Sequence, residues 1–315
     1  MSEAAKPTIV CLGAGAVGGY FGGRLVEHNA ADVTFLVRER RQAELDRDGL
    51  RIESPCGNAV LRVEARTKSE LAGAAPDYLL LTAKAYHLEG AIADIAPVVG
   101  PHTTIVPLLN GLAHMLRLNA AFGAQRVIGG IVSLQLRQRA DGVIEHLNDW
   151  QFITIGEQQG GLSPRVERLQ KALAKSGVAA VASPEIMQKM WEKLVMLATL
   201  AGMTTLMRAN LGEIASAPGG AELSVRMLET NAAAAAHAGY PVALSQLDDW
   251  RRLFTDRTSR FTASMLADMN RNSPVEADHI LGYMLERVRA AGLDATLLAA
   301  AYANAKVYEA RQPQP

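Results

Sequence analysis

The sequence predicts an α/β protein in two parts, a parallel-sheet domain over residues 1–182 and an all-α domain over residues 183–315. Three observations predict it. Short apolar runs alternate with helix-like stretches through the first half, the pattern of a parallel sheet covered on both faces. Strand-like runs stop near Ser183-Pro184, and long helical stretches take over. A length of 315 residues favours about two domains.

The first run, Thr8-Ile9-Val10-Cys11-Leu12, reads as a buried strand. It ends in Gly13-Ala14-Gly15-Ala16-Val17-Gly18, and the segment from Ala14 to about Glu27 reads as a helix. G-x-G-x-x-G between a strand and a helix is the phosphate turn of a Rossmann-type dinucleotide domain. Gly13 serves the tight turn, Gly15 lets backbone approach a pyrophosphate, and Gly18 lets the helix pack on the strand. The first N–H groups of that helix and its positive dipole end then face the phosphates. The other reading, a glycine turn without a ligand, does not need this strand–helix context.

Asp32-Val33-Thr34-Phe35-Leu36-Val37 is a second strand, Tyr78-Leu79-Leu80-Leu81-Thr82 another, followed by a helix near Leu88 to Pro97. Thr103 to Leu109 is strand-like and closes on Asn110-Gly111 before a further helix. One hairpin is expected between Gly49 and Ala65 around Pro55-Cys56-Gly57-Asn58. A second is expected from Val127 to Leu147, turning at Ala140-Asp141-Gly142. Phe152 to Ile155 adds a strand, and Ser163-Pro164 caps a helix with proline in its first position. Beyond, helices break at Pro218-Gly219-Gly220, Gly239-Tyr240-Pro241, Ser273-Pro274 and Gly292. Asn231 to Ala238 is almost all alanine, which favours helix and close packing, within the chain before any second subunit.

The bulk numbers exclude several functions. The 32 basic and 32 acidic residues cancel, and no basic stripe suits nucleic acid. Cys11 and Cys56 form neither a disulfide framework nor a metal set, which fits a reducing cytoplasm. The seven histidines show no metal-ligand spacing. Met1 to Pro7 is too short and polar for a signal peptide. Leu194 to Met207 carries no charge but is too short to span a bilayer, so it reads as a buried helix. Gln312-Pro313-Gln314-Pro315 reads as a frayed polar end.

A site for NAD carries an acidic residue near the end of the second strand, to hold the ribose 2′-hydroxyl. Here that strand ends Leu36-Val37-Arg38. An arginine there pairs with a 2′-phosphate, so NADP(H) is the expected cofactor and Arg38 its contact. Glu39, Arg40 and Arg41 follow, and the two arginines read as a solvated charge cluster at a helix start. Lys84 and Asn110 each follow a strand's carboxyl end, where open α/β sheets bind ligands. Lys193 is the last charge before the uncharged stretch. Beside an apolar pocket its pKa falls by desolvation, suiting proton transfer near neutrality. The alternative is a side chain that snorkels from the helix face. Ser273-Pro274-Val275-Glu276 fits a capping box, with Ser273 as N-cap and Glu276 at N3.

Taken together the segments resemble the ketopantoate reductase (2-dehydropantoate 2-reductase) family over nearly the whole chain. The resemblance rests on Gly13 to Gly19, Val37-Arg38, Thr82-Ala83-Lys84-Ala85, Asn110-Gly111 and Trp191-Glu192-Lys193-Leu194. It continues through Leu211-Gly212-Glu213, Ser264-Met265-Leu266-Ala267-Asp268 and Glu276-Ala277-Asp278-His279-Ile280-Leu281-Gly282-Tyr283. It implies reduction of the ketone of 2-dehydropantoate by NADPH, in the route to pantothenate and coenzyme A. It implies Lys193 as proton donor and Glu276 as the acidic residue near the nicotinamide ribose and substrate hydroxyl. It further implies Asn110 between nicotinamide and substrate, Ser264 on the substrate carboxylate, and Lys84 and Arg38 on the cofactor. The chain departs where the family carries asparagines one and two helical turns after the lysine: here stand Leu197 and Ala201. Phe261 replaces another, and a further one falls near Asn210-Leu211.

Three readings follow. The first is a cytoplasmic NADPH-dependent ketopantoate reductase acting on a small 2-oxo acid, as a monomer or a homodimer. The second is the same hydride chemistry on a more apolar 2-oxo or 3-oxo acid, favoured by Leu197, Ala201 and Phe261 on the expected pocket wall. The third is a non-catalytic NADPH-binding sensor, which the presence of both Lys193 and Glu276 argues against.

Overall fold

The computed structural model describes residues 5–312; residues 1–4 and the polar end expected at residues 313–315 lie outside them. The chain divides into two compact units. One comprises residues up to Leu109 together with His114–Met187; the other comprises Asn110–Ala113 and Gln188 onward. The division falls after Met187 rather than at residue 182, and the short Asn110–Ala113 segment groups with the helices, not with the sheet it follows.

In the first unit the alternation of apolar runs produces β1 (Thr8–Leu12), α1 (Ala16–Glu27), β2 (Asp32–Leu36), α2 (Glu39–Asp48), β3 (Leu50–Glu53), β4 (Ala59–Leu61) and β5 (Glu64–Arg66). There follow β6 (Tyr78–Leu81), α3 (Leu88–Ile95), β7 (Thr104–Pro107) and α4 (Ala113–Phe122). Among the described residues a parallel sheet has the order β5-β2-β1-β6-β7, with Ile9 facing Val33 on one side and Tyr78 on the other. β1 is thus central, and Ile9, Val10 and Cys11 are buried. Burial pushes the Cys11 thiol up to about 12, so this sulfur is an inert core group.

The hairpins assemble differently from the expectation. β3 and β4 pair antiparallel as read from the sequence. The second hairpin is shorter: only β9 (Leu136–Gln138) and β10 (Ile144–His146) pair across the Asp141-Gly142 turn. The arm before it, β8 (Gly129–Ser133), instead joins β11 (Phe152–Gly156), which also takes β12 (Ala179–Ala182), a strand with no alternation to reveal it. β10 runs parallel to β3, fusing the hairpins into a sheet of order β4-β3-β10-β9. α1 lies between this sheet and the parallel one, and its glycines make room: a Cβ at Gly22 would meet Phe35, and one at Gly23 would meet Ile52 and Leu50. α5 (Pro164–Lys175) starts as expected, the Ser163 hydroxyl accepting from the Val166 N–H at 3.4 Å with Pro164 in first place.

The second unit is built from α6 (Ile186–Met207), whose first residues lie before the division, and from α7 (Leu211–Ser216), α8 (Gly220–His237), α9 (Leu244–Thr255) and α10 (Ser264–Asn270). A π-helical turn (Asp278–Gly282) runs into α11 (Tyr283–Ala290), and α12 (Thr296–Ala310) closes the unit. The predicted breaks all separate helices. Two further breaks are not read from the sequence: residues 256–263 separate α9 from α10, and Arg208 takes φ +55° before Asn210 caps α7 with Glu213 in a reciprocal capping box. In the alanine stretch Ala232, Ala234 and Ala235 are buried within the chain, and the Asn231 amide donates to the Thr199 hydroxyl at 3.0 Å. Among the described residues no helix is long and apolar enough to cross a membrane.

Candidate active site

The glycine turn has the geometry a dinucleotide pyrophosphate needs. Gly13 has φ +89°, a conformation costly for any side chain, and its N–H donates to the Leu36 carbonyl at 2.9 Å. A Cβ on Gly18 would lie 2.4 Å from the Gly13 carbonyl oxygen and 2.5 Å from Thr82 Oγ1, so only glycine fits. Thr82 in turn donates to the Leu12 carbonyl at 2.8 Å, locking the turn to the end of β6. Above Gly15 the space is open, with Gln138 Oε1 3.8 Å from a Cβ position there. Gly15 caps α1 without any side-chain bond, and the first turn holds no acidic residue. Donors and dipole are therefore available to an anion. Ala14, Ala16 and Val17 contribute backbone and small side chains to the same cradle.

Arg38 stands at the N-cap of α2, exposed, at the carboxyl edge of β2. Arg40 is the solvated residue expected, loosely paired with Glu44 at 3.4 Å. Arg41 is not. It is half-buried, pairs with Glu44 at 3.1 Å, and donates to the Ala14 and Gly142 carbonyls at 3.2 and 3.3 Å. It braces the glycine turn against the β9–β10 hairpin, helped by Gln138, which donates to Ala14 at 3.3 Å. Helix position alone does not distinguish Arg40 from Arg41; the approach of a hairpin a hundred residues later does. Lys84 is exposed at the N-cap of the turn Ala85–His87.

Lys193 sits about two turns into α6, with its neighbour Glu192 already engaged by Gln188 and Lys189 at 3.0 and 2.8 Å. Lys193 is half-buried, and desolvation pulls its pKa down to about 8, the Glu276 carboxylate acting in the opposite direction. Lysine and carboxylate therefore share one electrostatic environment.

The expected cap at Ser273 is not formed. Residues 273–276 are non-helical, helix begins only at Ala277, and the turn after it is π-helical. Glu276 therefore stands not at N3 but directly before the helix, its carbonyl accepting from the Ile280 N–H at 3.2 Å. Asn110 reaches the same turn through its neighbour: a Cβ on Gly111 would lie 2.6 Å from the His279 carbonyl oxygen. His279 itself is held neutral-leaning by desolvation, against the Glu276 and Asp278 charges. Ser264 is exposed at the first position of α10. Leu197 and Ala201 follow Lys193 by four and eight residues and share its face of α6, Leu197 half-buried and Ala201 buried. Phe261 is exposed, and Asn210 spends its amide oxygen on the α7 cap. No group of three or more His, Cys, Asp or Glu side chains that could hold a metal occurs among the described residues.

Family models match both units: "Ketopantoate reductase PanE/ApbA" over residues 9–160, and its C-terminal counterpart over residues 185–309. The chain belongs to the ketopantoate reductase family. An uncharacterized oxidoreductase of Bacillus subtilis, YkpB, is 32% identical over 301 residues, covering 96% of this chain and 98% of that protein. A 2-dehydropantoate 2-reductase of Mesorhizobium japonicum is 29% identical over 300 residues, covering 88% of this chain and 90% of its own. The crystal structure of 2-dehydropantoate 2-reductase from Methylococcus capsulatus superposes with a TM-score of 0.86 at 26% identity, covering 98% of each chain. The ketopantoate reductase fold, a parallel sheet with helices followed by a helical region, is the one described above, and the chain is an oxidoreductase of this family.

Proposed function

We propose that this protein reduces the ketone of 2-dehydropantoate to the alcohol of pantoate with NADPH, in the route to pantothenate and coenzyme A. The observation that carries the reading is the desolvated Lys193, brought to a pKa of about 8 in the field of Glu276. Bound NADPH would supply the hydride that goes to the carbonyl carbon. Gly13, Gly15 and Gly18 with the α1 N-terminus would hold its pyrophosphate, and Arg38 its 2′-phosphate.

Lys193 delivers the matching proton. A pKa of about 8 leaves it protonated at neutral pH yet ready to release the proton to an alkoxide as charge grows on the carbonyl oxygen. Until transfer, the ammonium stabilises that developing charge, in an environment where desolvation strengthens the interaction. Glu276 sustains the protonated form. Asn110 would orient the carbonyl, and Ser264 would take the substrate carboxylate. The ledger closes as one hydride and one proton added across the C=O bond.

A second reading keeps the chemistry and changes the acid. Leu197 and Ala201 present apolar groups on the Lys193 face of α6, which offer a polar 2-oxo acid no hydrogen bond. Each amide donor lost costs roughly 0.5–1.5 kcal/mol. Following NADPH oxidation against 2-dehydropantoate and a panel of branched and aromatic 2-oxo acids separates the two. Saturable turnover with 2-dehydropantoate preferred tenfold or more establishes the first; a tenfold preference for an apolar acid replaces it with the second.

A further inference from the structure

The π-helical turn Asp278–Gly282 is a costly element kept in place from three directions. On one side α12 grips it: Tyr302 O–H donates to Asp278 Oδ1 at 2.6 Å, and Lys306 Nζ donates to Oδ2 at 2.9 Å. Tyr302 and Lys306 are four residues apart and so share a helix face. Burial works against the Lys306 charge, but bonds to Glu309 and Asp278 outweigh it and raise its pKa above the ordinary value. At the end of the turn Gly282 lies flat on the Tyr302 ring, where a Cβ would meet ring carbons at 3.1 and 3.4 Å. Tyr283 next to it lies 6.2 Å from Trp191 of α6, with Arg287 over its other part at 4.5 Å. On the remaining side Gly111 presses on the His279 carbonyl with φ +83°, so both its conformation and the contact exclude a side chain.

A π turn holds one residue more than an α turn, so its relaxation to α would rotate everything N-terminal to it by about 100° around the helix axis. Glu276 is two residues N-terminal to Asp278. Its direction toward Lys193 therefore depends on the turn staying π. We propose that Asp278, gripped by Tyr302 and Lys306, and Gly111, seated on His279, are positioning residues that hold Glu276 in register with Lys193 and Asn110. The inference deepens the proposed reaction and rests on Lys193 and Glu276 as its working pair. The charged and titratable groups on this turn are Glu276, Asp278 and His279; from α12 come Lys306 and Glu309, and on the Lys193 helix Glu192 is committed to Gln188 and Lys189.

The test reads the Lys193 amine directly. Competitive acetylation across pH 6–11 with mass spectrometry of the Lys193 peptide reports its pKa without any need for turnover. Glu276→Gln defines the value without the carboxylate. Tyr302→Phe combined with Lys306→Met is expected to move Lys193 at least halfway toward that value. kcat is expected to fall about fivefold or more, with NADPH affinity unchanged. Lys306→Arg alone, which keeps the ion pair, is expected to stay near the wild-type value. Gly111→Ala is expected to lower kcat further with the same shift. An unshifted Lys193 in the folded double variant overturns the proposal, as does activity lost only in proportion to unfolded protein. Shifts as expected with no 2-oxo acid reduced would remove the reductase reading and leave the clamp standing.

Discussion

The glycine turn of the first unit and the π turn of the second do comparable work by opposite means. Gly13 to Gly18 is one contiguous hexapeptide whose geometry comes from its own backbone and the strand and helix that adjoin it. The π turn meets Gly111 and, through Tyr283, Trp191 from two distant stretches, and it is held by α12. A phosphate needs backbone N–H groups, which any chain has once glycine allows the turn. Proton transfer needs particular side chains at a set direction, and tertiary packing alone can supply that. Cofactor binding should thus tolerate lesions in the second unit, and catalysis should not.

The largest effect is expected from Lys193→Ala: kcat down by about a thousandfold, with the NADPH dissociation constant from fluorescence titration within threefold of wild type. A lost cofactor affinity would show that the two regions do not divide the work. Gly18→Ala comes next. Its Cβ would press on the Gly13 carbonyl and Thr82, and NADPH affinity should fall about a hundredfold, close to the roughly 3 kcal/mol of a severe packing lesion.

Glu276→Gln should lower kcat by about ten- to a hundredfold and carry a pH signature. Desolvation lowers the Lys193 pKa and Glu276 opposes it, so without the carboxylate the ammonium loses its proton at lower pH. In wild type, kcat/KM should decline as pH rises through about 8; in the variant the decline should start earlier. A later decline would mean that Glu276 acts on some other group. Arg38→Ala should weaken NADPH binding by about tenfold and leave NADH unaffected, read by calorimetry with both nucleotides; equal losses would remove Arg38 from the 2′-phosphate. The smallest effect belongs to Asn210→Ala. Losing the α7 cap should cost about 1 kcal/mol, visible as a Tm lowered by a few degrees, with kcat and both affinities intact.

How legible each region was follows the same division. The parallel strands, the α1 turn and the cap at Ser163 are local patterns, and the structure has them. β12 is four residues, three of them alanine, and becomes a strand only because β11 lies beside it. The arm from Gly129 to Ser133 has strand character but not the information about which partner to choose, and it pairs with β11 rather than with the return arm β10. Arg41 reads as surface charge until the Gly142 turn arrives over it. Glu276 fits the spacing of a capping box, yet its proline-containing segment stays out of the helix. Lys193 is legible as the last charge before an apolar helix; that its desolvation is partly opposed by Glu276 is not.

By itself the sequence determined the fold class, the glycine cradle and, through Arg38, the expected preference among nicotinamide cofactors, because each depends on residues adjacent in the chain. Only the tertiary structure decided that Asn110–Ala113 groups with the helices, that Glu276 stands directly before a helix rather than at its third position, and that Gly111 meets the π turn at His279. The reason is physical. A turn or a strand is settled by neighbours a few residues away, whereas the desolvation and field that tune a lysine are settled by whatever packs around it.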